Sequence, residues 1–336
     1  MRFRVEKKTK SERAQSRRYS FLKILTGSDL SRRRLALMES KSANPGPVVW
    51  LTGCVHGDEV GGIVVIQEIF RRLKKEPLLR GRVYAFPLMN PIGFETVSRH
   101  IGLSKEDLNR SFPGNPNGSV AERIAERIFT AILQTQPTLV LDLHNDWIKS
   151  IPYVLIDPDP GLTRREVYRK AREFSGQTGF VVIGEHRAEA DREELKRTLS
   201  GSLIAYGIPA ISLELGEAYV VNERNVEDGV RSIWNVLAGL EMTPPAELKL
   251  NYKMPEVLSG RILSYSHQPP ASTSGIIRFL IKPGEIVREG QRVAKIYNVF
   301  GKLQETICAK GDAVVLGHSD SSVALPGVPV VAFGMF

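Results

Sequence analysis

The chain has 336 residues, 42% of them hydrophobic and 25% charged, which excludes a disordered or fibrous class and leaves room for more than one core, since single domains typically hold about 100–200 residues. No run of about 18 apolar residues occurs, so no membrane-spanning helix is expected, and two cysteines far apart, Cys54 and Cys308, point to a reducing cytoplasmic setting. The net charge of +9 is placed at one end: residues 1–34 carry twelve Lys or Arg against three acids, which accounts for all of it and leaves the body near neutral.

Residues 1–18 read as a basic, solvated and partly disordered extension. Such a head can attract nucleic acid or anionic lipid, but a nucleic-acid partner is not the expectation. Within it, Ser16-Arg17-Arg18-Tyr19-Ser20-Phe21-Leu22-Lys23 comes close to a twin-arginine export signal. The apolar segment that should follow is broken by Thr26-Gly27-Ser28-Asp29 and Arg32-Arg33-Arg34, so it lacks an adequate hydrophobic region and a small-residue cleavage site. Residues 19–26 and 34–39 then read as two short strands joined by a polar turn, and Ser42 to Pro47 as a loop.

The apolar run Val48 to Thr52 predicts a strand that delivers Gly53-Cys54-Val55-His56-Gly57-Asp58-Glu59 to the start of a helix, whose apolar face is Val60, Ile63, Val64, Phe70 and Leu73. His56 and Glu59, three apart across a strand-to-helix corner, can converge on one point. A third ligand comes most convincingly from the strand Thr138 to His144. Two His and one Glu with an open fourth position form the ligand set of a catalytic zinc, whereas a structural zinc more often recruits cysteines. Asp142, two residues before His144 and on the same side of the strand, is a candidate to orient an imidazole.

Between these stretches, Val83 to Met89 predicts a strand, and Phe94 to Pro116 an irregular segment holding Arg99, Asn109 and Arg110. A long irregular stretch in a compact domain is often functional, and an Arg with a neighbouring amide suits a carboxylate. Val120, Ile124, Ile128 and Ile132 predict a helix stopped by Pro137. Further on come a strand at Pro152 to Ile156, a helix at Thr163 to Thr178, a short strand at Phe180 to Gly184 and a helix at Leu199 to Tyr206. The charged segment Glu185 to Arg197, with His186, Arg187 and Arg192, is assigned no chemistry. Ile208 to Leu215 is an apolar strand that contains Glu214, costly to bury without a partner, with Glu217 as its local competitor. A last helix covers Val226 to Leu240.

Four stretches in one order, Gly53 to Glu59, Asp107 to Gly114, Asp142 to His144 and Glu214 to Gly216, resemble the G-x-H-G-D-E, D-L-N-R-x-F-P-G, D-L-H and E-x-G motifs of the succinylglutamate desuccinylase/aspartoacylase zinc hydrolases. The resemblance covers roughly residues 46–336. It implies an α/β fold like that of the metallocarboxypeptidases, a mixed sheet flanked by helices over 19–245. It implies one zinc ion on His56, Glu59 and His144, with Glu214 rather than Glu217 as general base. Arg99 is implied to polarise the scissile carbonyl, and Asn109 with Arg110 to bind the substrate's carboxylate. The reaction expected is removal of an acyl group from the nitrogen of a small N-acyl amino acid or related carboxylated amine.

From Met242-Thr243-Pro244-Pro245 onward the texture is short β-like runs punctuated by glycines, a small all-β domain over 246–336. Ile276 to Ala294 resembles half-repeats of biotinyl and lipoyl carriers, but Asn298 to Lys302 lacks the motif a modified lysine needs. That domain is expected to shape or cover the active-site mouth, or to support a homo-oligomer; His267 and His318 in it are expected to be structural or exposed. Two other readings remain open on sequence: a carboxypeptidase acting on peptides or cell-wall fragments, and a non-catalytic hydrolase fold whose basic head binds polyanions.

Overall fold

A computed structural model describes residues 16–26, 30, 32–159, 161–185, 193–246, 248–251, 255–258, 260–318 and 321–336. The basic residues before Ser16 and the trio His186, Arg187 and Arg192 lie outside the described residues. The strands are β1 (Ser16–Thr26), β2 (Arg32–Lys41), β3 (Val48–Gly53), β4 (Arg82–Phe86), β5 (Leu139–His144), β6 (Lys149–Ser150), β7 (Pro152–Ile156), β8 (Val181–Gly184), β9 (Ala210–Leu215) and β10 (Ile262–Ser266). They continue as β11 (Gly275–Phe279), β12 (Ile286–Val287), β13 (Arg292–Tyr297), β14 (Leu303–Cys308), β15 (Ala313–His318), β16 (Val323–Ala324) and β17 (Val331–Met335). The helices are α1 (Gly61–Lys75), α2 (Pro91–Glu95), α3 (Val120–Leu133), α4 (Arg165–Gln177), α5 (Leu199–Ala205) and α6 (Glu223–Gly239).

The fold is mixed α/β, with an all-β C-terminal region of mainly antiparallel strands. One 13-stranded sheet runs β1-β2-β4-β3-β5-β9-β7-β8-β10-β17-β15-β12, with β6 attached to β15. At its centre β4, β3, β5 and β9 are parallel; β7 then turns antiparallel to β9 and starts a second parallel run with β8 and β10. A separate four-stranded sheet, β14-β13-β11-β16, belongs to the C-terminal region. The strands predicted near the start are longer than the apolar spacing indicated, because the cross-strand ladder of β1 and β2 extends into the arginines at both of its ends, from Ser16 opposite Lys41 to Thr26 opposite Arg32.

The two faces of the central sheet carry separate cores, as strand alternation requires. Val49, Leu51, Leu139, Leu141, Leu143, Ile211, Leu213 and Leu215 point to one face, under α1, α4 and α6. Trp50, Val140 and Ala210 point to the other, under α3 and α5. Helix α3 begins at a capping box, in which Ser119 Oγ accepts from the Glu122 amide and the Glu122 carboxylate accepts from the Ser119 amide. Arg72, in the last turn of α1, lies 4.0 Å from the Trp234 ring and ties α1 to α6. By the same alternation Thr52, Asp142, His144, Ser212 and Glu214 share the α3 and α5 face, so a run of polar side chains sits where the sheet leaves its second core.

Candidate active site

The strand-to-helix corner after β3 is fixed by close backbone contact. A Cβ at Gly57 would fall 1.9 Å from the Gly93 carbonyl carbon and 2.2 Å from the Phe94 nitrogen, so only glycine fits. The Gly57 amide donates to the Ser98 carbonyl at 3.0 Å, and the Glu59 amide to the His56 carbonyl at 3.2 Å. The corner therefore turns His56 and Glu59 inward, where both are buried.

Glu59 stands between two imidazoles. Its Oε1 lies 2.5 Å from His56 Nδ1 and its Oε2 2.9 Å from His144 Nδ1. Asp142 Oδ2 lies 2.9 Å from the other ring nitrogen of His144, and Thr52 Oγ1 donates to Asp142 Oδ1 at 2.6 Å. Asp107 Oδ1 faces His56 Nε2 at 3.3 Å, misaligned for a hydrogen bond but close enough for a charge interaction. His144 is thus oriented through Nε2, and both rings present Nδ1 to the Glu59 carboxylate. With the Nε2 hydrogen committed to Asp142, the Nδ1 lone pair of His144 points at an anion, an arrangement that is favourable only with a cation or a proton between them. His56, Glu59 and His144 offer ligand atoms that all lie within 4.8 Å of one another, and two imidazole nitrogens with one carboxylate suit a divalent metal.

Electrostatics agree with this geometry. Burial pushes the Glu59 carboxyl up, but His56 and His144 outweigh it and hold it well below the usual carboxylate range. Burial also lowers His144, yet Asp142 and Glu59 raise the imidazole well above its ordinary value. Asp107, pushed up by burial, is brought below its ordinary range by His56, Arg99 and Arg110.

A cavity of about 160 Å³ opens onto this cluster. Glu214, the β9 residue paired with His144 across the parallel ladder, lines it. Its Oε2 is buried with no hydrogen-bond partner among the described residues, and burial first, then Asp146, Glu59 and Asp142, raise its carboxyl well above the ordinary value despite His144. Glu217 is engaged elsewhere: its Oε2 accepts from Asn222 Nδ2 at 3.1 Å and Asn225 Nδ2 at 2.6 Å at the start of α6. Arg99, Asn109 and Arg110 also line the cavity. Arg99 is held by Asp107 Oδ2, through Nε at 3.1 Å and Nη2 at 2.9 Å, and its Nη1 lies 3.3 Å from His56 Nδ1. Asn109 Oδ1 accepts from the Leu199 amide at 2.9 Å, which fixes the 3-10 turn Leu108–Arg110 against α5 and spends part of the amide's bonding capacity on structure.

Several contributors have no sequence motif that marks a role. Asn145 stitches three segments: its Oδ1 accepts from the Gly61 amide at 3.0 Å, its Nδ2 donates to the Glu217 carbonyl at 2.9 Å, and its amide donates to Glu59 Oε2 at 3.2 Å. Tyr153 stands opposite Glu214 on β7 and donates to Asp146 Oδ2 at 2.5 Å. Tyr265 on β10 brings the C-terminal region into the cavity wall. Asp157 and Glu185 line its far end. Adjacency to His144 was the one available signal for Asn145 and Asp146; the others depend on strand register.

The profile of the succinylglutamate desuccinylase/aspartoacylase catalytic domain matches residues 45–240. An N-alpha-acetyl-L-2,4-diaminobutyric acid deacetylase from Halomonas elongata is 29% identical over 264 residues, 76% of this chain and 71% of that protein. A crystal structure of a succinylglutamate desuccinylase from Silicibacter sp. TM1040 superposes with a TM-score of 0.78 at 18% identity, covering 96% of this chain and 94% of that one. A metallo-carboxypeptidase from Burkholderia cenocepacia shares the fold over 65% of this chain and 63% of its own, with a TM-score of 0.50 at 16% identity. The motifs, the sheet and the matched catalytic domain agree, and the chain belongs to the succinylglutamate desuccinylase/aspartoacylase family.

Proposed function

We propose that the protein is a zinc-dependent hydrolase that cleaves the amide bond of a small N-acyl amino acid, with His56, Glu59 and His144 as metal ligands. The observation that carries this reading is the convergence on one cavity of a His-Glu-His donor set and a buried carboxylate, Glu214, whose Oε2 has no hydrogen-bond partner among the described residues. The Halomonas relative, named for deacetylating an N-acetylated amino acid, supports the same reaction class.

A divalent ion bound at this site supplies Lewis acidity to the acyl carbonyl and lowers the pKa of a water toward about 7. The protein's own residues do the rest. Glu214 accepts a proton from the attacking water at Oε2 and returns it to the leaving nitrogen, a transfer typically worth about 10² to 10⁴ in rate. Arg99, aimed at the ligand cluster by Asp107, faces the oxyanion as charge develops. Arg110 and Asn109 hold the substrate's carboxylate and set the distance from that anchor to the scissile bond. Asp142 keeps the His144 imidazole in the tautomer that offers Nδ1, and the Asp107 charge lies beside His56 Nε2.

Elemental analysis of the purified full chain, with release of free amine from a panel of N-acyl amino acids, tests the assignment. About one zinc per chain together with amine release is the expected result. A chain that neither retains nor rebinds zinc, and releases no amine, would overturn it.

A further inference from the structure

Far from the cavity, β1 forms an outer edge of the main sheet and pairs, among the described residues, with β2 alone. Strand alternation divides its side chains. Leu22 and Ile24 turn inward with Leu35 and Leu37 of β2, onto the core beneath α3. Arg17, Tyr19, Phe21 and Lys23 occupy the opposite face, in one row that spans about 20 Å of strand. Tyr19 is 67% and Phe21 68% exposed, so two aromatic rings stand in solvent at alternate positions with a cation at each end of their row.

The ladder register then sets cation against cation. Lys23 stands directly opposite Arg34, and Arg33 and Arg32 follow opposite Leu25 and Thr26. Like charges placed opposite each other across a ladder are destabilising. The two strands hold seven Lys or Arg and a single acid, Glu39, and none of Arg17, Lys23, Arg32, Arg33 and Arg34 has an ion pair among the described residues. Arg34 instead lies 6.0 Å from the centre of the Phe21 ring. Arg127 Nε donates to the Lys23 carbonyl at 3.4 Å and ties the ribbon to α3, where a groove of about 440 Å³ carries the positive surface on to Arg123. The one carboxylate in the lining of that groove, Glu126, accepts from the Thr130 hydroxyl at 2.9 Å.

We infer that this ribbon binds single-stranded nucleic acid, with phosphates on the cations of the row and two neighbouring bases stacked on Tyr19 and Phe21. A phosphate between Lys23 and Arg34 relieves their opposition. Every base has a π-face, so exposed rings beside a positive track take a single strand without reading its sequence. The two rings are about 7 Å apart along the strand, and each offers its own platform to an unstacked base. A duplex keeps those faces inside its stack. An anionic bilayer satisfies the cations but fits the rings less well, because they lie mid-strand between charges and do not form a continuous apolar face. The strands β2, β4 and β3 separate β1 from β5, so neither the metal nor the acyl substrate enters the inference.

The test uses the full chain and a fluorescein-labelled oligouridylate of about 12 nucleotides, within the span of surfaces of this kind, with binding read by anisotropy over a range of salt concentrations. We expect affinity that falls steeply with salt. Tyr19→Ala and Phe21→Ala should each weaken binding by about 5- to 100-fold, and Lys23→Gln, which removes one phosphate contact, should lower the slope of log affinity against log salt by about 0.7. Because Lys23 faces Arg34, the same substitution should hold or raise the Tm, which separates weaker binding from unfolding. No binding by the wild type, or undiminished affinity in both ring variants, overturns the inference. Equal affinity for a duplex of the same length would mean that charge alone binds, and capture by phosphatidylglycerol vesicles without oligonucleotide binding would make the ribbon a membrane contact; either result also overturns it.

Discussion

Asp142 and His144 stand two residues apart on β5, and the Asp142 carboxylate lies 2.9 Å from Nε2 of the imidazole while Thr52 holds its other oxygen. The contact leaves Nδ1 as the nitrogen of His144 that faces Glu59 and the candidate metal site. Partners of this kind typically change metal affinity by about 10- to 100-fold. Asp142→Asn should therefore weaken zinc binding within that range, as read by competition with a chromophoric chelator, while the circular dichroism spectrum is retained. Unchanged affinity would mean that the ring is held in place by packing alone.

Glu214→Gln keeps the side chain's volume and removes its ability to take a proton. Amine release from an N-acyl amino acid should fall by about 10² to 10⁴ in kcat, with zinc content equal to that of the wild type. Glu217→Gln is the control: Glu217 is bonded to Asn222 and Asn225, so its loss should act on stability at the start of α6. A larger fall in kcat for Glu217→Gln than for Glu214→Gln would reverse the assignment.

The convergence of His56, Glu59 and His144 was legible in the sequence because each part has a local cause. His56 and Glu59 share one corner, His144 ends an apolar strand, and Asp142 alternates onto the same side as His144. Glu214 was legible as a carboxylate in a buried strand, and its choice over Glu217 came from the motif. Asp107 was quoted in a motif without a role, because only the fold of residues 99–110 brings it to both His56 and Arg99. Acids that end strands are ordinarily solvated, which leaves Asp157 and Glu185 without a sequence signal; both are buried at the ends of the paired strands β7 and β8, where Ser200 reaches Asp157. The β texture after residue 250 was equally plain, yet β10, β17, β15 and β12 continue the main sheet, and no local signal says which edge a strand will join.

Gly57→Ala tests whether the corner is set by backbone approach. The added Cβ would meet the Gly93 and Phe94 backbone rather than a side chain that can swing away, so the loop carrying His56 and Glu59 must shift. Overpacking of this kind typically costs about 1–3 kcal/mol, and a lower urea midpoint with an unchanged m-value should report it. Zinc affinity should fall in the same variant. A stability loss without any change in affinity would separate the corner from the ligand geometry.

Asp157 also makes a prediction about pH. Its carboxyl is raised from 3.8 to about 7 in the folded chain, so the folded state holds the proton more tightly than the unfolded state does. Its contribution to stability is complete below 3.8 and is lost as pH rises toward about 7. At about 1.36 kcal/mol per unit, the loss is at most about 4 kcal/mol. Asp157→Asn cannot ionise and escapes that loss. The Tm of the metal-free variant, measured against the metal-free wild type, should therefore gain progressively from about pH 4 to about pH 8. A difference that stays constant across this range would mean that the Asp157 carboxylate is already compensated in the folded protein.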